Sequence, residues 1–215
     1  MSDREPYADR VAAGLALADS LREFAGREDA VVLGLPRGGV PVAAVVAREL
    51  RLPLDVLVVR KLGLPRHSEL AMGAVAAGAS GLLVVRNPEV ISQGRVRERT
   101  FERVLQKETA ELRRRESRYR GSRAPLPLRD RVVLVVDDGL ATGASMRVAL
   151  RVIREEGAAY IVPAVPIGPA DVCRALATEV DRLVCPWTPA QFVAVGAGYR
   201  DFAQTSHEEV RRLIG

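Results

Sequence analysis

Aromatic residues are scarce in this chain: nine of 215, or 4%. So few rings argue against a stacking surface for single-stranded nucleic acid. Cysteine is scarcer still, with Cys173 and Cys185 alone. Two thiols cannot supply a disulfide framework, and none is needed. A chain of this length can bury about 70% of the surface its unfolded form exposes. The two cysteines stand twelve residues apart with no nearby histidine pair, which argues against zinc and suits a reducing cytoplasm. Long apolar runs are also missing. Val40–Ala47 and Val132–Val136 fall far short of the ~20 residues that span a bilayer. The N-terminal MSDREPYADR has no apolar core of a signal peptide. A cytoplasmic chain with no membrane partner is therefore expected.

Two common nucleotide signatures are absent as well. GLPRGG, Gly34–Gly39, is followed by Val40 rather than lysine, so it is no P-loop, and no GxGxxG occurs at either Gly-containing loop considered below.

Hydrophobic residues make up 48% of the chain, and its length predicts one domain over 1–215. The net charge is +5, and the stretch 94–120 carries all of that excess, with ten basic and five acidic residues. Periodicity predicts a helix over 7–24, with Val11, Leu15, Ala18 and Leu21 on one stripe. Strands follow at 30–35 and 54–59, with a helix between them over 40–50. Residues 60–81 hold five glycines or prolines and read as a long loop, with room for a hairpin. A strand at 82–85, a charged helical segment at 87–120 and the most strand-like run, 132–136, come next. Helices at 145–156 and 169–177 alternate with strands at 161–165 and 182–185. Ser206 with Glu209 forms a capping box for a terminal helix. Such alternation predicts an α/β fold: an open, mostly parallel sheet flanked by helices. Ligands of such sheets bind beyond the carboxyl ends of the strands.

Two strand ends carry unusual chemistry. In VVLVVDDGLATGAS, Val132–Ser145, five apolar residues deliver Asp137 and Asp138, and a loop of small residues then enters a helix. Amides of Ala141, Thr142, Gly143, Ala144 and Ser145 at a helix N-terminus favour a phosphate, and two hydroxyls add donors. The paired carboxylates would repel a phosphate. They suit sugar hydroxyls, or Mg2+ through water. Acids beside a phosphate cradle describe a phosphorylated sugar. Receiver domains also pair aspartates at a strand end, but after the first strand and with no phosphate loop following.

This string resembles the phosphoribosyl pyrophosphate (PRPP) motif of type I phosphoribosyltransferases, and the likeness to a bacterial subgroup of that family covers nearly the whole chain. Gly139 departs from the motif, which usually has an aliphatic residue there. LGLPRGGVPVA, Leu33–Ala43, resembles the family's diphosphate loop, with a non-proline cis peptide implied at Pro36–Arg37 or Arg37–Gly38. The resemblance implies diphosphate contacts from Arg37, Gly38, Gly39 and Lys61, with Arg60 a solvated neighbour. It implies catalytic roles for Asp137, Asp138, Arg37 and Lys61, and Mg2+ as cofactor. It places a mobile loop over about 60–81, including Glu69 and His67, and a hood over 186–204. Within the hood, Trp187, Phe192 and Tyr199, with Phe202 beside them, either stack on the acceptor base or pin irregular backbone to the core. His207 reads as a surface residue.

The implied activity is that of a pentosyltransferase of nucleotide and nucleoside metabolism. It would move 5-phosphoribosyl from PRPP to a nitrogenous base and release pyrophosphate. Ala141 stands where 6-oxopurine enzymes of the family carry an aspartate, which counts against hypoxanthine and guanine. Two alternatives remain. One is a regulatory PRPP or nucleotide sensor that binds RNA through the Arg-rich helix; the other is a phosphosugar hydrolase or lyase. The interleaved glutamates of that helix favour a solvated face over nucleic acid, and a homo-oligomer contact is left open.

Overall fold

The computed structural model describes residues 5–65, 67–79 and 81–215. Residues 1–4, Arg66 and Ser80 lie outside the described residues, as do the side chains of Ser68 and Glu69; part of the N-terminal reading and the Glu69 assignment fall there.

Four parallel strands form the main sheet in the order β2 (Leu54–Val56), β1 (Ala30–Gly34), β6 (Val132–Val136), β7 (Tyr160–Ala164). Every residue of β1 and β6 is buried, as expected of strands covered on both faces. Their side chains alternate between two layers. Val32, Leu134 and Val136 pack with α1 (Arg10–Asp19) and α2 (Gly39–Leu50). Val31, Leu33, Val133 and Val135 pack with α5 (Ala144–Glu155) and α6 (Ala170–Ala177). The expected fold class is observed.

Local readings change in four places. The first helix is shorter than 7–24, and its buried stripe is Ala13, Leu17 and Ala18, with Leu21 buried just beyond its end; Val11 and Leu15 are exposed. The apolar spacing allowed either stripe, and packing against α2 selected the one with small residues. Within 60–81 the hairpin for which the reading left room takes the place of a long loop: β3 (Val59–Leu64) and β4 (His67–Gly78) pair antiparallel. The strand predicted at 82–85 is β5 (Gly81–Arg86), which joins this second sheet and not the parallel one. The strand predicted at 182–185 amounts to single bridges at Val184 and Trp187.

The charged segment forms α3 (Pro88–Gln93) and α4 (Glu98–Arg120). Helix α4 is not merely a solvated face. Phe101, Leu112 and Tyr119 are buried with Leu62, Met72 and Val75 of the hairpin. At its last turn Arg120, 4% exposed, meets Asp55 of β2, 2% exposed, at 3.0 Å. Asp55 also accepts the amides of Val56 at 2.8 Å and Leu126 at 3.0 Å. This network ties the basic helix to the edge of the parallel sheet. The terminal helix α7 (His207–Ile214) starts at Ser206, whose Oγ accepts the Glu209 amide at 3.0 Å. No helix among the described residues is long and apolar enough to cross a membrane.

Candidate functional site

Strands β1 and β6 are neighbours in register, with Gly34 opposite Val136, so the turns that follow them leave the same sheet edge. The first turn, Pro36–Gly39, is folded tightly against the second. A Cβ on Gly38 would lie 1.9 Å from Asp138 Oδ2, and one on Gly39 would lie 2.7 Å from the Val136 carbonyl oxygen. Only glycine lets the two turns approach so closely. The Pro36–Arg37 peptide is cis, at one of the two bonds where one was expected.

Asp137 and Asp138 sit side by side at the end of β6, both partly exposed. The Asp138 amide donates to Asp137 Oδ1 at 2.9 Å. Withdrawal from water, reinforced by the neighbouring Asp138 carboxylate, raises the Asp137 carboxyl well above the ordinary range. Asp138 has a partner that the motif did not announce. Arg10, at the start of α1, donates Nε and Nη2 to Asp138 Oδ2 at 3.1 and 2.8 Å, and Nη1 to the Ala203 carbonyl at 2.7 Å. The guanidinium lies 4.1 Å from the centre of the Phe202 ring. Nothing in the local sequence marks Arg10, because its partner is 128 positions away.

The small-residue loop lies beside the acids. Gly143 takes the left-handed conformation, φ 73°, at the N-cap of α5, and Ala144 is the first helical residue. Ala141, Thr142 and Ser145 are exposed. Among the described residues no acceptor takes the amides of Thr142 and Gly143, while Thr142 Oγ1 accepts the Ala144 amide at 3.4 Å. Arg147, also missed by motif reading, braces the loop. Its Nη1 donates to the Thr142 carbonyl at 3.1 Å and its Nε to Glu179 at 2.9 Å.

The basic candidates part company. Arg60 is not a solvated neighbour: its Nε meets Glu108 of α4 at 2.9 Å. Lys61 projects to the opposite face of β3, the side on which Val59 packs toward α5. Arg37 is partly exposed and makes no ion pair among the described residues. His67 opens β4 and is exposed, paired in register with Leu64. His207 is more than a surface residue, since its Nδ1 lies 2.7 Å from the hydroxyl of buried Tyr119.

The hood aromatics gather around Tyr7. Its hydroxyl donates to the Pro166 carbonyl at 3.1 Å, and its ring meets Trp187 edge-on at 5.7 Å. Phe192 joins the same cluster. Tyr199 is buried, and its hydroxyl donates to the Asp138 carbonyl; burial and the nearby acids push its pKa up. Val195 explains the departure at Gly139, where a Cβ would come within 2.4 Å of Val195 Cγ1. The space an aliphatic side chain would fill from below is filled by Val195 from above.

No group of three or more histidine, cysteine, aspartate or glutamate side chains among the described residues is placed to hold a metal ion. Two adjacent carboxylates, one of them already holding an arginine, suit a hydrated Mg2+ that takes most of its ligands from a phosphorylated substrate.

The sequence matches the phosphoribosyl transferase domain model across residues 8–187. It is 48% identical over 204 residues to proteins of Mycobacterium tuberculosis strains H37Rv and CDC 1551, each provisionally named a phosphoribosyl transferase. Those alignments cover 95% of this chain and 45% of each relative, so the chain spans less than half the length of the curated relatives it matches. Its structure is similar to that of the protein TT1426 from Thermus thermophilus, with 40% identity, a TM-score of 0.86 and 97% of each chain covered.

Proposed function

The chain belongs to the phosphoribosyl transferase domain family, and from that premise we propose that it transfers 5-phosphoribosyl from PRPP to a nitrogenous base, releasing pyrophosphate. In this reading the amides and hydroxyls of 141–145 hold the 5-phosphate at the N-terminus of α5. Asp137 and Asp138 seat the ribose diol. Gly38 and Gly39 bring backbone to the diphosphate, and Arg37 and Lys61 offset its charge. Mg2+, when bound through water to the two aspartates, would neutralise charge on the departing diphosphate.

The bond from the sugar's anomeric carbon to the diphosphate oxygen breaks, and its electron pair leaves with pyrophosphate. The acceptor nitrogen forms the new bond to that carbon, through a transition state with oxocarbenium character. The protein then needs few covalent actors. It must hold the sugar in line and stabilise the leaving charge. The hood, with Val195 over Gly139 and Tyr199 over the Asp138 backbone, narrows the space above the acids and would exclude water from the reacting carbon. Ala141 argues for an acceptor other than a 6-oxopurine.

One observation carries the reading: the glycines of the first turn lie directly against the acidic pair of the second, beside a phosphate-type helix entry. The test is PRPP consumption with Mg2+ across a panel of bases. Asp138→Asn is expected to lower PRPP turnover by about ten- to a hundredfold, the value of about 1.5–3 kcal/mol for a charged hydrogen bond. Equal PRPP loss by both proteins would overturn the roles given to the acids.

A further inference from the structure

Cys173 and Cys185 have no part in the function proposed above, yet folding brings these two thiols together. Cys173 is on α6 and buried, in the apolar cluster of Leu140, Val165 and Leu176. Cys185 is half-buried and packs against the same cluster. The two sulfurs are hydrogen-bond partners. Each is carried by anchored backbone. Single bridges at Val184 and Trp187 hold the chain on both sides of Cys185 alongside the end of β7. There the Val165 amide donates to the Val184 carbonyl at 3.0 Å, and the Gly168 amide to the Trp187 carbonyl at 3.2 Å. The Cys173 amide donates to the Pro169 carbonyl at 3.0 Å, at the start of α6. Gly168 is the point where the two anchorages meet. A Cβ there would lie 3.1 Å from Cys173 Sγ, and Cys185 Sγ is 3.4 Å from the Trp187 oxygen that accepts the Gly168 amide. Disulfides form where two backbones bring their sulfurs face to face, and this pair meets that condition.

We propose that Cys173 and Cys185 form a site of reversible oxidation, which closes to an intramolecular disulfide when the protein meets hydrogen peroxide. The two thiols differ in the way this chemistry needs. Contact with Cys185 lowers the Cys173 thiol pKa, while contact with Cys173 and burial push the Cys185 thiol up. Cys173 therefore ionises first, and the thiolate is the attacking form. Its sulfur attacks one peroxide oxygen, the O–O bond breaks, and the departing hydroxide becomes water with the proton that Cys173 released. Cys173 is then a sulfenic acid. The Cys185 sulfur attacks the Cys173 sulfur, the S–O bond breaks, and the leaving hydroxide takes the Cys185 proton as a second water. Two thiols have given up two electrons and two protons, and one peroxide has become two waters. The bond would tie α6 to the chain that enters the hood. It would lie directly behind the acid-bearing loop, since a Cβ on Gly168 would also be 3.0 Å from Leu140 Cβ. The oxidation site does not rest on the activity proposed above.

The test treats the full chain, freed of reductant, with hydrogen peroxide. Thiols are titrated in denaturant, and the cysteine peptides are mapped by mass without reduction. The wild-type protein is expected to lose both thiols together and to yield one peptide pair, lighter by two hydrogens, joined through Cys173 and Cys185. Dithiothreitol is expected to restore both thiols. The oxidised protein is expected to unfold at a higher denaturant concentration than the reduced one, because the closed loop restricts the unfolded chain. In Cys185→Ser the sulfenic acid has no resolving thiol, so dimedone is expected to label Cys173. The wild-type map decides the proposal whether or not that variant folds. It is overturned if both thiols survive peroxide, or if each cysteine gains its own oxygens without joining the other. It is also overturned if the disulfide links two chains, or if dithiothreitol does not restore the thiols. A folded Cys185→Ser that takes no dimedone at Cys173 would overturn the order of the steps.

Discussion

Two arginine–aspartate pairs hold this fold at opposite ends of its chemistry. Arg120 and Asp55 are 4% and 2% exposed; Arg10 and Asp138 are 13% and 16% exposed. The buried pair is saturated. Both oxygens of Asp55 are occupied, by two backbone amides and by Arg120. The cleft pair is left unfinished, because Arg10 takes only Oδ2 of Asp138. A saturated carboxylate can only hold structure. One with an oxygen to spare at a partly open sheet edge can still accept a sugar hydroxyl, and the same ion pair therefore serves either packing or binding according to what else surrounds it.

Substitutions can break this contrast. The largest effect is expected from Arg120→Met, which strands Asp55 and Glu116 and should cost about 3–5 kcal/mol, the loss typical of a broken buried pair. Denaturant unfolding measures it. Arg10→Met should cost less, about 1–2 kcal/mol, because water can reach the freed Asp138, although the stacking on Phe202 is lost as well. If the two variants lose equal stability, the cleft pair is core and the contrast fails. The smallest effect belongs to an exposed pair. Hydrogen bonds from Arg114 and Arg115 lower Glu111 to about 2. A depressed carboxylate contributes stability above its unfolded pKa and loses it as pH falls through the folded value. Wild type should thus lose slightly more stability than Glu111→Gln as pH drops from the ordinary carboxylate range toward about 2. Salt should erase that difference, since the pair faces solvent.

Local signals were sufficient where the proposed function rests on consecutive residues. The run from Val132 to Ser145 is strand, acids, turn and helix entry in the order the chemistry needs, and the structure keeps that order. The turn at Pro36–Gly39 was equally readable, since glycine pairs mark close backbone approach. The hairpin at 59–78 was harder to see. Small residues such as Gly73, Ala74 and Ala76 line β4, and a strand built from them lacks the β-branched bulk that marks a core strand. In α4 the charge run gave no sign that Tyr119 and Arg120 turn inward, and the reason Arg120 does so is Asp55, 65 residues upstream. The partner of Asp138 was hidden in the same way, as was the reason for Gly139.

What the sequence alone determined is what neighbours along the chain can specify: buried parallel strands, the alternation that layers them, and two turns, one rich in glycine and one pairing acids with small residues. Which arginine neutralises which acid was decided only by folding. Local propensity acts over a few residues. An ion pair's value depends on burial and on every other donor within reach, and those are supplied by segments tens to hundreds of positions away.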